Sequence, residues 1–325
     1  MKILIAPLNW GLGHASRCVP LVQRLLDEGH EVVVGGDGDS LTLLRKHFPK
    51  LRYVYLAPLN LRYSAGKRQV WAMLKAFPKL IMWSLKDHAL LKAVLREEPF
   101  DRVISDNRFG LYNRSVECIY MTHQLHIMLP RGWRWAEPLA SRIHARIYTR
   151  FNKVWVPDYE DPQKSLAGEL SHNYQLPITN YQYIGPLSRF TKCENAKMGK
   201  WDIVAVLSGL EPHRTLLEKE IIHRYTDPSL QGGEGVGCSV LLVQGLMARP
   251  NTRIKRGNIT MVPYLADNEL AFALTGAKRI IARSGYSTIM DLDALGVLDK
   301  AELIPTPGQP EQEYLARFIA QKMHK

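Results

Sequence analysis

Three times along this 325-residue chain an apolar run of strand length ends in a glycine-bearing turn and leads at once into a helical stretch. Lys2–Leu8 runs into Asn9-Trp10-Gly11-Leu12-Gly13-His14-Ala15-Ser16-Arg17 and a helix-like Cys18–Glu28. Asp202–Leu207 runs into Ser208-Gly209 and a helix reaching His223. Arg279–Ala282 runs into Arg283-Ser284-Gly285 and another helix. Strands that alternate with crossover helices pair in parallel, so the plan predicts an α/β fold. It occurs in both halves, and 325 residues can bury two cores of ordinary size. Two tandem α/β domains are therefore expected, 1–187 and 201–325, joined by a polar linker over 188–200. Further strands are predicted at His30–Val34, Phe100–Ile104, Ile119–Thr122, Val154–Pro157, Ser239–Val243 and Ile259–Val262.

Open parallel sheets collect ligands beyond the carboxyl ends of their strands. Asp106 and Arg108 follow one predicted strand and His123 follows another, which makes them crevice candidates or, alternatively, loop polar residues. His14 sits on a glycine turn; an imidazole titrating near 6.5 can take a proton from a hydroxyl at neutral pH, the alternative being a helix cap. Helix starts carry unpaired N–H groups and suit phosphate. Such starts are predicted after Ser208-Gly209, with Arg214 able to add a charged contact, and after Ser284-Gly285, with Ser284 or Ser287 as N-cap. Asp291 falls about a turn into the latter helix, and Glu311 and Gln312 open the next. The dinucleotide fingerprint is not met at Gly11-x-Gly13, where Ser16 takes the third position, and Gly232–Gly237 lacks the Lys-Ser/Thr ending of a P-loop.

The order Arg283-Ser284-Gly285-x-x-Thr288-x-x-Asp291, a strand, then Pro307-Gly308-Gln309-x-Glu311-Gln312 resembles the donor-binding signature of GT-B glycosyltransferases. The resemblance is to the group holding the bacterial N-acetylglucosaminyltransferase of cell-wall lipid precursor synthesis and the diacylglycerol glycosyltransferases. It implies two Rossmann-like domains facing a cleft, with Gly11 and Gly13 on the acceptor-side loop. Ser208, Gly209, Arg214, Arg283, Ser284 and Gly285 would then face a nucleotide diphosphate, Tyr264 or Leu265 the base, Asp291 the ribose, and Glu311 and Gln312 the sugar. His14, with Asp106 and His123, would act on the acceptor. The implied reaction is metal-independent transfer of a hexose or N-acetylhexosamine from a nucleotide-diphosphate sugar, UDP foremost, to an acceptor hydroxyl on a glycan or lipid. No cofactor is expected. Members of this family usually end in a helix that returns to the first domain, and this chain reads as short of it. Two other readings stay open: a sugar-nucleotide 2-epimerase of the same fold, and a non-catalytic membrane-binding protein with a relict donor site.

The net charge of +12 is unevenly spread: residues 1–195 hold 27 Lys+Arg against 17 Asp+Glu. Segment 62–92 has one acid, Asp87, among basic residues and Trp71, Phe77 and Trp83; segment 131–153 has one, Glu137, among basic residues and Trp133, Trp135, Tyr148 and Phe151. Indole rings with Lys and Arg suit an anionic membrane surface. Helices with inward aromatics fit as well, and single-stranded nucleic acid is the weakest reading. Cys18, Cys118, Cys193 and Cys238 form no Cys-x-x-Cys pair, and no signal-peptide pattern opens the chain. A cytoplasmic protein, peripheral on the inner membrane face, is expected.

Overall fold

The computed structural model describes residues 1–59, 69–172, 180–190, 201–226, 238–247 and 249–323. Most of the expected linker, 191–200 with Cys193, lies outside the described residues, as do Arg62, Lys67, Arg68, the glycine run 232–237 and the side chains of Trp71 and Lys75.

The first lobe runs β1 (Lys2–Pro7), α1 (Leu12–Asp27), β2 (Glu31–Gly36), α2 (Gly38–His47), β3 (Arg52–Tyr55), α3 (Gln69–Glu97), β4 (Arg102–Asp106), β5 (Glu117–Met121), α4 (Glu137–Tyr148), β6 (Lys153–Val156) and β7 (Tyr181–Tyr183). Its seven strands are parallel, in the order β3-β2-β1-β4-β5-β6-β7. Ile3, Leu4, Ile5 and Ala6 are all fully buried. A strand covered on both faces needs a continuous apolar run, and β1 supplies one. The helix α1 turns Ala15, Cys18, Leu21, Val22 and Leu25 onto the sheet beside Ile3, Ile5 and Val34.

The second lobe runs β8 (Ile203–Val206), α5 (His213–Thr226), β9 (Val240–Val243), β10 (Ile254–Arg256), β11 (Ile259–Val262), α6 (Asp267–Gly276), β12 (Arg279–Arg283), α7 (Tyr286–Ala294), β13 (Ala301–Ile304) and α8 (Pro310–Met323). Its sheet has the order β10-β11-β9-β8-β12-β13, parallel except for the edge pair β10–β11. α8 buries Leu315 and Ile319 in one cluster with Leu166, Ala167 and Leu170 from the first half of the chain. The Nζ of Lys322 donates to the carbonyls of Lys164 and Ser165. The last described helix therefore packs on sequence that precedes the expected linker.

Strand order fixes where a ligand can sit. In the first sheet the direction of winding reverses between β1 and β4, and in the second between β8 and β12. A crevice opens at such a reversal, outside the carboxyl ends of the two strands. The glycine turn with His14 and the end of β4 with Asp106 flank the first reversal. Ser208-Gly209 and Arg283-Ser284-Gly285 flank the second.

Candidate active site

The first-lobe crevice holds a buried polar cluster built on Asp106, whose side chain is wholly inaccessible. Arg17, one turn beyond His14 on α1 and 2% exposed, grips this carboxylate through one edge of its guanidinium: Nε donates to Oδ2 at 2.8 Å and Nη2 donates to Oδ1. Positions three apart share a helix face, so the same turn presents His14 and Arg17 to one partner. The Nδ1 of His14 lies 3.1 Å from Asp106 Oδ1 and 2.9 Å from Arg17 Nη2. The Nη1 of Arg17 reaches Nδ1 of His123 at 3.3 Å. Burial by itself raises the Asp106 carboxyl, but Arg17 and then His14 outweigh it and hold the group well below the usual carboxylate range. Burial lowers His14 below its ordinary value, with Arg17 adding to the effect and Asp106 opposing it.

The cluster continues across the cleft. The Nε2 of His123 is 2.8 Å from Glu311 Oε1, at the start of α8. Its ring stacks on Tyr286 of α7 at 4.2 Å between centroids, 11° from parallel, and the Tyr286 hydroxyl donates to the carbonyl of Pro157 at 2.7 Å. Burial pushes the Glu311 carboxyl up, yet the hydrogen bond from His123 and the charges beyond it hold the group below its ordinary value. Two helix starts meet here. The Oγ of Ser287 donates to the carbonyl of Gly13 at 2.9 Å, which brings the first turns of α1 and α7 together. Neither turn contains an acidic residue or a side-chain cap. Gly11 (φ 80°) and Gly209 (φ 95°) face one another, because a Cβ on Gly11 would lie 3.7 Å from Gly209 Cα. Both hold backbone shapes that residues with a Cβ avoid.

On the second lobe, the donor candidates are largely engaged by the protein itself. Ser284 does not cap α7, and neither does Ser287; the N-cap is Gly285, while the Ser284 hydroxyl donates to the carbonyl of Gln312 at 2.8 Å. The Gln312 Oε1 accepts from the backbone N–H of Thr306 at 2.9 Å. Arg283 spends Nη1 on the carbonyl of Pro305 and Nη2 on that of His213, both at 2.9 Å. Arg214 is bound by Glu211 and Glu218, each at 2.6 Å. The ring of Tyr264 lies under Lys46 Nζ of the first lobe at 4.0 Å. Asp291 accepts from the Ser188 hydroxyl at 2.7 Å and lies 3.8 Å from Arg189 Nε. Burial dominates its surroundings, with Arg189 and Ser188 opposing, and pushes it up to about 6.

Arg108 is the one crevice candidate the structure removes. It is fully buried away from the cluster, donating to Asp87 at 2.9 and 2.7 Å, to Asp37 at 3.1 Å and to the carbonyl of Ala57 at 2.8 Å. Arg17 and Tyr286 are the residues that sequence reasoning passed over. Arg17 left one legible signal: an arginine on the inward face of a core helix needs a carboxylate, and a neighbouring strand ends in Asp106. The expectation of no metal rests also on the chain lacking an Asp-x-Asp motif, and that ground is wrong, because the sequence holds two such triplets. In Asp37-Gly38-Asp39 the first carboxylate pairs with Arg108 while the second is exposed; in Asp291-Leu292-Asp293 the first meets Ser188 and the second accepts from Tyr159. Among the described residues no group of three or more His, Cys, Asp or Glu side chains is arranged to hold a metal ion.

No family model matches the sequence. A protein of Methanosarcina acetivorans named as an uncharacterized glycosyltransferase is 24% identical over 340 residues, covering 99% of this chain and 84% of the relative. Among solved structures, the spinosyn forosaminyltransferase superposes with a TM-score of 0.56 at 15% identity, covering 100% of this chain and 95% of that one. The structure of Phytolacca americana UGT2 complexed with UDP-2fluoro-glucose and pterostilbene gives 0.53 at 14%, covering 99% and 83%. Together with the two parallel sheets and the crevices facing each other between them, these likenesses establish the architecture: the chain has the GT-B fold.

Proposed function

We propose that this protein is a glycosyltransferase that moves a hexose or N-acetylhexosamine from a nucleotide-diphosphate sugar, UDP foremost, to an acceptor hydroxyl. The observation that carries the reading is the meeting of His14 and Asp106 with the uncapped first turns of α1 and α7 at one cleft. His14 Nδ1 faces Asp106, which leaves Nε2 for the acceptor hydroxyl. As that hydroxyl attacks the anomeric carbon, its proton passes to Nε2, and Asp106 stabilises the imidazolium that forms. The bond from the anomeric carbon to the diphosphate oxygen breaks, and the leaving diphosphate takes the electron pair. Its charge is met by the dipole ends of α1 and α7 and by the turn Ser208-Gly209, without a metal. Asp291 holds the ribose, and Glu311 and Gln312 meet the sugar once the donor enters.

The acceptor is a lipid or lipid-linked glycan. Supporting this, Phe77, Ile81, Met82 and Leu85 of α3 are exposed, as are Trp135 (76%), Leu139 and Ile143 on and before α4, among the exposed Arg131, Arg134, Arg142 and Arg146. Such a surface suits the headgroup layer of an anionic membrane on its cytoplasmic side. No helix among the described residues is long and apolar enough to cross a membrane. The test is a transfer assay with radiolabelled nucleotide sugars and a lipid extract. Label should move from one donor into the lipid fraction; conversion of a sugar nucleotide without any extract would support an epimerase. Binding of anionic vesicles with no turnover and no nucleotide binding would support a relict cleft.

A further inference from the structure

Two histidines and two carboxylates share the cleft, and one guanidinium touches most of them. A guanidinium only donates hydrogen bonds. Its Nη1, 3.3 Å from His123 Nδ1, therefore needs a lone pair there, so that the ring hydrogen of His123 sits on Nε2 and points at Glu311 Oε1, 2.8 Å away. Both distances are satisfied by this tautomer and by no other. For His14 the demands compete. Its Nδ1 faces Asp106 Oδ1, which accepts, and Arg17 Nη2, which donates. With its one hydrogen on Nδ1, toward Asp106, His14 keeps Nε2 free to accept, and a second proton there would set an imidazolium 2.9 Å from the Arg17 guanidinium, positive charge against positive charge. Asp106 alone would draw that proton, since a buried carboxylate favours a cation beside it. Arg17 engages both Asp106 oxygens and opposes that pull, in the same direction as the burial of the ring. The charged or titratable groups facing His14 are Arg17 on its own helix, Asp106 from β4, His123 from the loop after β5 and Glu311 from α8.

We propose that Arg17 is the positioning residue that assigns the protons of both cleft histidines: it fixes the hydrogen of His123 on Nε2 toward Glu311, and it keeps His14 singly protonated beside Asp106. This deepens the transferase reading and rests on it for its purpose, because a general base is useful only while it lacks the extra proton. Burial of His14 works in the same direction.

The test is heteronuclear NMR of the histidine rings in the free protein, titrated with pH and assigned through single His→Gln variants. No substrate enters, so a failure to find transferase activity leaves the result readable. In the wild type, His123 should carry its hydrogen on Nε2, and His14 should titrate below its ordinary 6.5. In Arg17→Met the His14 midpoint should rise by about one unit or more, above 6.5, as Asp106 loses its other cation. In Arg17→Lys the charge remains but the fork is gone; His14 should stay low while His123 populates both tautomers. A purely structural Arg17 would move neither signal. Nδ1-bound hydrogen on wild-type His123, or an unchanged His14 midpoint in Arg17→Met, overturns the proposal. Should Arg17→Met not fold, the lysine variant decides, because a His123 that keeps one tautomer there overturns it equally.

Discussion

Asp106 and Asp291 are both buried carboxylates beside the cleft, one in each lobe, and their surroundings push them in opposite directions. Asp106 is gripped by Arg17 through two oxygens and neighboured by His14, and it stays ionised far below neutral pH. Asp291 has a serine hydroxyl at 2.7 Å and a guanidinium no nearer than 3.8 Å, and burial raises it to about 6. The first arrangement is complete without a ligand. The second has a hydroxyl and the backbone N–H of Arg189 but no guanidinium at hydrogen-bond distance, so burial prevails. In the proposed transferase, proton handling is built into the first lobe in advance, whereas the second lobe would be completed by its donor.

Substitutions can break this contrast, and the largest effect is expected at His14, the proposed base. His14→Ala should lower kcat by about two to four orders of magnitude in the transfer assay while changing the melting temperature little, since the ring is one neighbour among several around Asp106. Asp106→Asn should cost about 3–5 kcal/mol in urea unfolding, because it leaves the buried Arg17 charge uncompensated.

Asp291→Asn should act with the opposite sign. In the unfolded chain Asp291 titrates near its ordinary value of about 3.9, and in the folded protein at about 6, so the folded state holds more protons between these limits. Its contribution to stability is then fully present below pH of about 4 and lost as pH rises to about 6. At pH 8 the asparagine variant should be the more stable by up to about 3 kcal/mol, and the gap should close at acid pH. The same variant should bind nucleotide sugar less tightly, as the ribose loses a charged acceptor. Equal pH profiles for the two proteins would erase the distinction between the lobes.

A smaller effect tests how the lobes touch. Ser287→Ala removes the hydrogen bond to the Gly13 carbonyl and should cost about 1 kcal/mol, read as a modest drop in melting temperature.

The layout of the fold was open to reading because buried parallel strands and glycine turns leave strong local marks. The run Lys2–Leu8 and β1 (Lys2–Pro7) differ by one residue, and Ser239–Val243 and β9 (Val240–Val243) likewise. Strand order is not a local property, yet it is the order that brings His14 to Asp106 and sets the turns of Gly209 and Ser284 beyond the ends of neighbouring strands. Side-chain partners were less legible still. Arg17 looked like any helix interior residue, and Arg108 looked like a crevice residue, because a guanidinium's role depends on which carboxylate a distant strand delivers. Asp106 went to Arg17; Asp87 and Asp37 went to Arg108. The hydroxyls of Ser284 and Ser287, each next to a helix start, were drawn off to Gln312 and Gly13 by the packing of the lobes.

The most direct test of a nucleotide-sugar site between the lobes is calorimetric titration of a UDP-, GDP- and TDP-sugar panel into the wild type and Gly209→Val. A Cβ at Gly209 meets no atom within 4 Å, at a backbone angle that adds strain to the turn proposed to face the diphosphate. One-to-one binding of a nucleotide sugar by the wild type, weakened by about tenfold or more in the variant, is the expected result. Absence of binding with every donor, or equal affinity in the folded variant, would contradict it.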